Sequence, residues 1–306
     1  MAFTAADVKN LREMTGVGMM DCKKALVASD GDMDKAVEYL REKGLAASAK
    51  KAGRIAAEGM AYAAVIDGVG VVVEVNAETD FVGKNEKFVD FVKGVAAVVA
   101  KEKPADLDAL MALPFGNGRT VQEEQQEMVL VIGENIKVRR FARFAEGVCV
   151  PYIHAGGKIG VLVNLAVEGE ASDKVLEMGK DVAMQIAALN PRFWDKSQVT
   201  EDVLAEEKKI MLAQMDNDPK MASKPAQVKE KIVEGKLNKF YAENCLLQQE
   251  FVKDNSMTVE QYMNAVAKEA GVKVTLKDAV RFEKGEGIEK KQDDFAAEIA
   301  SMVGGK

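Results

Sequence analysis

Histidine is almost missing from this chain of 306 residues: His154 is the only one. A histidine-rich metal site is thereby excluded, and only one histidine-dependent catalytic arrangement could be built. With a single copy, a turn or surface role is favoured over a catalytic one. Cysteine is nearly as scarce. Cys22, Cys149 and Cys245 are odd in number, far apart and without Cys-x-x-Cys spacing, so they read as free thiols of a reducing cytoplasm. Basic residues are outnumbered, 42 Lys and Arg against 49 Asp and Glu, for a formal charge of −7. That balance argues against nucleic-acid binding, which needs a basic face to displace counterions. Two local clusters, Lys50, Lys51 and Arg54, then Arg139, Arg140 and Arg143, read as solvated. No apolar run approaches the ~20 residues that cross a bilayer. The N-terminus, with Asp7 and Glu13, lacks the apolar core of a secretion signal. What is present, 48% hydrophobic and 30% charged residues, describes an ordinary folded protein of two or three domains.

Residues 1–44 read as three short helices. Thr4 caps one carrying Val8 and Leu11, and Gly16-Val17-Gly18 breaks it. Cys22, Ala25 and Leu26 share a face of the second. Asp32 caps the third, with Ala36, Val37 and Leu40 inward and Gly44 as its stop. Ala46 to Gly59, small and basic, suits a linker. From Met60 the period becomes two, and two strands flank an Asp67-Gly68 turn. In the second, Val73, Val75 and Ala77 alternate with Glu74, Asn76 and Glu78, the pattern of a half-buried strand. A helix with Phe88, Phe91, Val92, Val95 and Val99 follows, then a loop with Pro104 and Pro114, a helix ending near Ile132, and the strand IKVRRFARF. A second strand pair surrounds His154-Ala155-Gly156-Gly157, and a helix carries Val175, Met178, Val182, Ile186 and Leu189.

Residues 199–245 form two charged helical runs, one striped by Val203, Leu204, Ile210, Met211 and Met215, the other by Val228, Ile232 and Phe240. That is an antiparallel helical hairpin projecting from the second half. A last helix is expected from Asp293 to Val303. The fold class is α+β with antiparallel sheets. The expected divisions are 1–54, a three-helix domain and linker; 55–147 and 148–280, two core subdomains, the second with hairpin 199–245 inserted; and 281–306, a C-terminal module.

Apparent chemical motifs fail on inspection. Asp30, Asp32 and Asp34 have calcium-loop spacing, but Lys35 takes the glycine position and Arg41 that of the bidentate acid. GVGVVVEV lacks the third glycine of a dinucleotide fingerprint, and HAGGKIG sits between strands without a GKS or GKT ending. No cofactor or metal is implied. Three apolar features instead lie where polar residues are normal: Met19-Met20 at a helix start, Phe251-Val252 in a polar connection, and Phe81-Val82 directly behind Thr79-Asp80. By pattern alone Phe81 is more readily a core plug than an exposed anchor. Several such features in one chain without catalytic chemistry tilt the balance towards a binding surface, where anchors within a polar rim concentrate energy.

Six stretches carry a resemblance. LREMTGVGMMDCKKAL (Leu11–Leu26) and EVNAETDFVGKNEKF (Glu74–Phe88), followed in order by IGENIKVRR, HAGGKIGVLV, IVEGKLNKF and RFEKGEGIEKKQDDFAAEIA, closely resemble the bacterial elongation factor Ts family. Ala77, Gly83 and Glu250 depart from its usual residues. The resemblance implies a ubiquitin-associated-like N-terminal domain, two α+β subdomains, a helical hairpin and a C-terminal helical module. It also implies guanine-nucleotide exchange on elongation factor Tu, not an enzyme activity. Thr79, Asp80, Phe81 and Val82 would intrude near the partner's switch II and disturb its magnesium site. Arg12, Met19, Met20 and Lys23 would grip its nucleotide domain, as would the C-terminal module. Ile132, Gly133, His154, Phe251 and Val252 would be further contacts. Homodimers through the hairpin, a cytoplasmic location and no membrane or direct nucleic-acid binding complete the expectation. Two other readings make different predictions: a ubiquitin-like adaptor or chaperone-type binder without effect on a GTPase, and a small-molecule enzyme with shifted titratable groups around His154.

Overall fold

The computed structural model describes residues 3–15 and 17–289. Its first helices are α1 (Ala5–Thr15), α2 (Met19–Ala28) and α3 (Met33–Lys51). Thr4 and Asp7 close the start of α1 reciprocally: the Thr4 hydroxyl donates to the Asp7 carboxylate at 2.8 Å, and the Asp7 N–H donates back to Thr4 Oγ1 at 3.3 Å. Asp32 caps α3 by accepting from the Lys35 N–H. Leu11, Cys22, Leu26 and Leu40 are the centre of this unit's core.

The first core follows. Strands β1 (Glu58–Ile66) and β2 (Val69–Ala77) form a hairpin whose turn residues Asp67 and Gly68 both have positive φ, the turn geometry that matches strand twist. Helices α4 (Glu86–Glu102), α5 (Leu107–Ala112) and α6 (Val121–Ile132) precede β3 (Lys137–Phe144), which pairs with β2 to give the sheet order β1-β2-β3. Asn85 caps α4, and its buried face, Phe88, Phe91, Val92, Val95 and Val99, covers Val71, Val73 and Val75. The stretch between Pro104 and Pro114, expected as loop, holds the short α5, capped by Asp106.

The second core has β4 (Val148–His154) and β5 (Ile159–Glu168), then α7 (Asp173–Leu189). The hairpin α8 (Glu201–Asn217), α9 (Pro219–Ala222) and α10 (Ala226–Asn244) comes next. Strands β6 (Glu250–Phe251) and β7 (Asp254–Thr258), helix α11 (Val259–Ala270) and β8 (Lys273–Glu283) complete the described chain. The sheet order is β4-β5-β8, all antiparallel, with α7 and α11 on one face. Periodicity assigns nothing from 246 to 283 beyond the Phe251-Val252 pair, although Thr258 and Gln261 form a complete capping box for α11. The helix expected at 293–303 lies outside the described residues.

Four expectations are corrected. Gly44 does not stop α3, which runs on to Lys51. Gly44 is buried against α6, where a β-carbon would sit 3.7 Å from the Gln126 carbonyl, and Leu130 and Val131 of α6 join the N-terminal core. The first part of the expected linker, up to Lys51, is therefore helix docked on the first subdomain. Second, β2 is not half-buried. The two sheets pack face to face, Ala61, Ala63 and Val72 against Leu162 and Phe282, so Glu74 and Asn76 are buried like their neighbours Val73 and Val75.

Third, Arg139 and Arg140 are not simply solvated. Arg139 Nη1 donates to Glu74 Oε1 at 2.9 Å and Arg140 Nε donates to Oε2. The Gly285 N–H, just beyond β8, donates to the same carboxylate at 2.8 Å, so this buried acid joins the first sheet to the end of the last strand. Arg143 reaches the Ala100 carbonyl. Fourth, the hairpin's buried residues are Met215, Val233 and Leu237, with Val199 and Phe240 at its base, while Ile210 and Val228 stay exposed. The three cysteines are free thiols, and burial pushes Cys245 up to about 11.

Candidate functional site

The segment behind β2 is held from both sides. At its start the Glu78 and Thr79 N–H groups donate to Glu134 Oε2 at 3.0 and 2.9 Å, and the Thr79 hydroxyl donates to Oε1 at 2.6 Å. Glu78 returns the contact by accepting from the Asn135 N–H at 2.6 Å, and the Asn135 amide donates to the Arg54 carbonyl. At its end Val82, 5% exposed, is sunk into the first core and opens a short 3-10 turn that leads into the Asn85 cap. Gly83 lies so close to β1 that a β-carbon would be 2.9 Å from the Gly59 carbonyl. A side chain there would require the backbone of the segment or of β1 to shift by a few tenths of an ångström.

Between these anchors Phe81 is 82% exposed. Asp80 is exposed beside it. Phe81 is the most exposed of the large hydrophobic side chains described. The Phe81-Val82 pair is thus split: one side chain fastens the segment to the core, and the other is presented to solvent. A core-plug reading holds for Val82 and fails for Phe81.

Other predicted residues gather at the same end. Ile132 is half-buried on the first core, and Gly133 ends α6 in the left-handed conformation, with φ 88°, directly before the clamping Glu134. His154 is exposed on the β4–β5 turn, its Nδ1 3.2 Å from the Tyr152 hydroxyl. That turn leans on β1: the Ala61 N–H donates to the Gly157 carbonyl at 2.8 Å, and Gly157, with φ 97°, has no room for a side chain beside Met60. Gly59 thus touches the Phe81 segment, and its neighbours Met60 and Ala61 touch the His154 turn.

The N-terminal helices border the same region. Arg12 and Met19 share a hollow with Lys87, near the start of α4. Met19 and Met20 are about half and two-thirds exposed, and with Phe3, Val8 and Lys23 they line an apolar groove of about 400 Å³. The pair in the polar connection is split like Phe81-Val82. Phe251 is buried, its ring stacked on Tyr262 with centroids 4.2 Å apart, because β6 runs under α11. Only Val252 faces outward; its N–H donates to Gln185 of α7. Sequence reasoning missed the Glu134–Thr79 clamp and the Glu74 hub, since both join residues more than fifty positions apart.

A family model described as Elongation factor TS matches residues 78–286. Curated proteins named Elongation factor Ts align with nearly the whole chain. The protein of Syntrophotalea carbinolica is 50% identical over 99% of this chain and 100% of its own length. That of Trichlorobacter lovleyi is 51% identical over 99% of each chain. The Clostridium perfringens strain SM101 protein is 49% identical over 98% of this chain and 99% of its own. The chain belongs to the elongation factor Ts family. As a member of that family it is a translation elongation factor, and the α+β class read from the sequence agrees with the observed helices and antiparallel sheets. No helix among the described residues is long and apolar enough to cross a membrane.

Proposed function

We propose that this protein binds elongation factor Tu, both GDP-bound and nucleotide-free, and accelerates GDP release by inserting Thr79, Asp80 and Phe81, on a segment that Val82 fastens to the core, beside the partner's magnesium and phosphate site. The observation that carries this reading is Phe81, exposed on a segment clamped at one end by Glu134 and plugged at the other by Val82. A large aromatic side chain kept in water by its own fold gains burial energy only when a partner covers it. GDP is held by phosphate contacts and Mg²⁺, the largest local charge in such a site. A factor that favours the nucleotide-poor conformation must weaken nucleotide binding by the same factor in return. Release is thereby accelerated, and the overall preference between GDP and GTP is unchanged.

Arg12, Met19, Met20 and Lys23 supply affinity for the nucleotide domain, and Ile132, Gly133, His154 and Val252 extend the contact. Phe251 supports Val252 from the core and does not itself face a partner. Residues 1–54, 55–147, 148–280 and 281–306 act as the successive functional units. The exposed Ile210 and Val228 give the hairpin a surface on which two copies can pair. The setting is cytoplasmic. The test is direct: mix the protein with elongation factor Tu carrying labelled GDP and follow its release. Acceleration by catalytic amounts of this chain is expected; an unchanged release rate refutes the proposal.

A further inference from the structure

We infer that Glu134 is a positioning residue for exchange: its carboxylate fixes the geometry in which Phe81 meets the partner. This rests on the role proposed for Phe81. Two backbone N–H groups and the Thr79 hydroxyl converge on one carboxylate, which is bound at both oxygens. Hydrogen bonds to an ionised acceptor are the stronger kind. Glu134 is itself held. It follows the left-handed Gly133 cap of α6, and the next residue, Asn135, donates its N–H to Glu78 and its amide to the Arg54 carbonyl.

The clamp is reciprocal, and it spans the two segments that carry Phe81 and Gly133. Phe81 has little packing of its own to orient it, being 82% exposed. Its backbone direction is set by what holds its neighbours: Val82 buried on the far side, Glu134 on the near side. Removing the buried plug would damage the core. Removing Glu134 takes away three hydrogen bonds at the surface and leaves every core side chain in place. The fold therefore survives while the segment between Ala77 and Val82 gains conformations in which Phe81 misses its pocket.

The experiment is a double-mutant cycle between Glu134→Ala and Phe81→Ala, reading GDP release from elongation factor Tu at saturating factor. Glu134→Ala is expected to lower the maximal rate by about tenfold, short of the roughly hundredfold that a full 1 Å misplacement of a positioned group can cost. Glu134→Gln keeps one acceptor oxygen for the two N–H groups and should stay within about threefold of the parent. Thr79→Val, which loses only the hydroxyl contact, should lie between the two. In the Phe81→Ala background Glu134→Ala should change the rate by less than about twofold, because the clamp acts through the missing ring. A merely structural role predicts instead equal losses of rate in both backgrounds, and that result overturns the inference. Normal release by Glu134→Ala beside impaired release by Phe81→Ala overturns the clamp and spares the role of Phe81. Normal release by Phe81→Ala at saturation overturns both.

Discussion

Phe81 and Val82 are adjacent and both apolar, yet truncating each should have opposite consequences. Phe→Ala in a packed interior costs about 3–5 kcal/mol of folding stability. Phe81 is 82% exposed, so under a fifth of that burial is at stake, and Phe81→Ala should cost folding less than about 1 kcal/mol. As an anchor it should instead cost ~2 kcal/mol or more of binding, about thirtyfold in Kd. Val82 is 5% exposed among Phe88 and its neighbours. Val82→Ala removes two buried carbons and leaves a cavity, a loss of about 1.5–3 kcal/mol in stability. Urea unfolding of each isolated variant gives the first quantity; titration against elongation factor Tu·GDP, followed by release at saturation, gives the second. Phe81→Ala should unfold like the parent and release GDP more slowly even when the partner is saturated. A severely destabilised Phe81→Ala with normal release at saturation would refute the assignment and make the ring a core element.

Two further perturbations probe the frame behind the site. Glu74→Gln leaves Arg139 and Arg140 without their buried counter-charge, and should cost about 3 kcal/mol in urea unfolding. Burial alone would raise the Glu74 pKa, but hydrogen bonds from Gly285, Asn76, Arg139 and Arg140 outweigh it and hold the carboxyl below its ordinary value. Its folded pKa being the lower one, its contribution is full above the unfolded pKa of about 4.3 and is lost as pH falls from there through the folded value. Glu74→Gln should flatten that acid limb; an unchanged pH profile would refute the account. Replacing residues 206–236 by a short Gly-Ser linker keeps the base residues Val199 and Phe240, and should shift the melting midpoint of the cores by less than about 5 °C. Loss of cooperative melting would show that the hairpin supports them.

Helices α4 and α7 were legible from their own residues, because a one-sided helix records its buried face every three or four positions. The Asp67-Gly68 hairpin was equally plain, its turn chemistry being local. The binding segment was legible as an anomaly, an aromatic where a polar residue belongs, and the family motifs gave that anomaly a role. What lay beyond local pattern has a common cause. Glu74 alternates like a solvent-facing residue, and it is buried only because strands from far along the chain cover the second face of β2. Gly44 looks like a stop until α6 packs on it. Phe81, Val82 and Phe251 are indistinguishable as apolar residues in polar company. Their fates diverge because α11 covers Phe251, the first core takes in Val82, and none of the described elements packs over Phe81. A residue's pattern states what its own element requires, whereas burial is a relation between elements, and here the partners that set it belong to other elements, from the neighbouring one, as α11 is to Phe251, to the far end of the chain, as Gly285 is to Glu74.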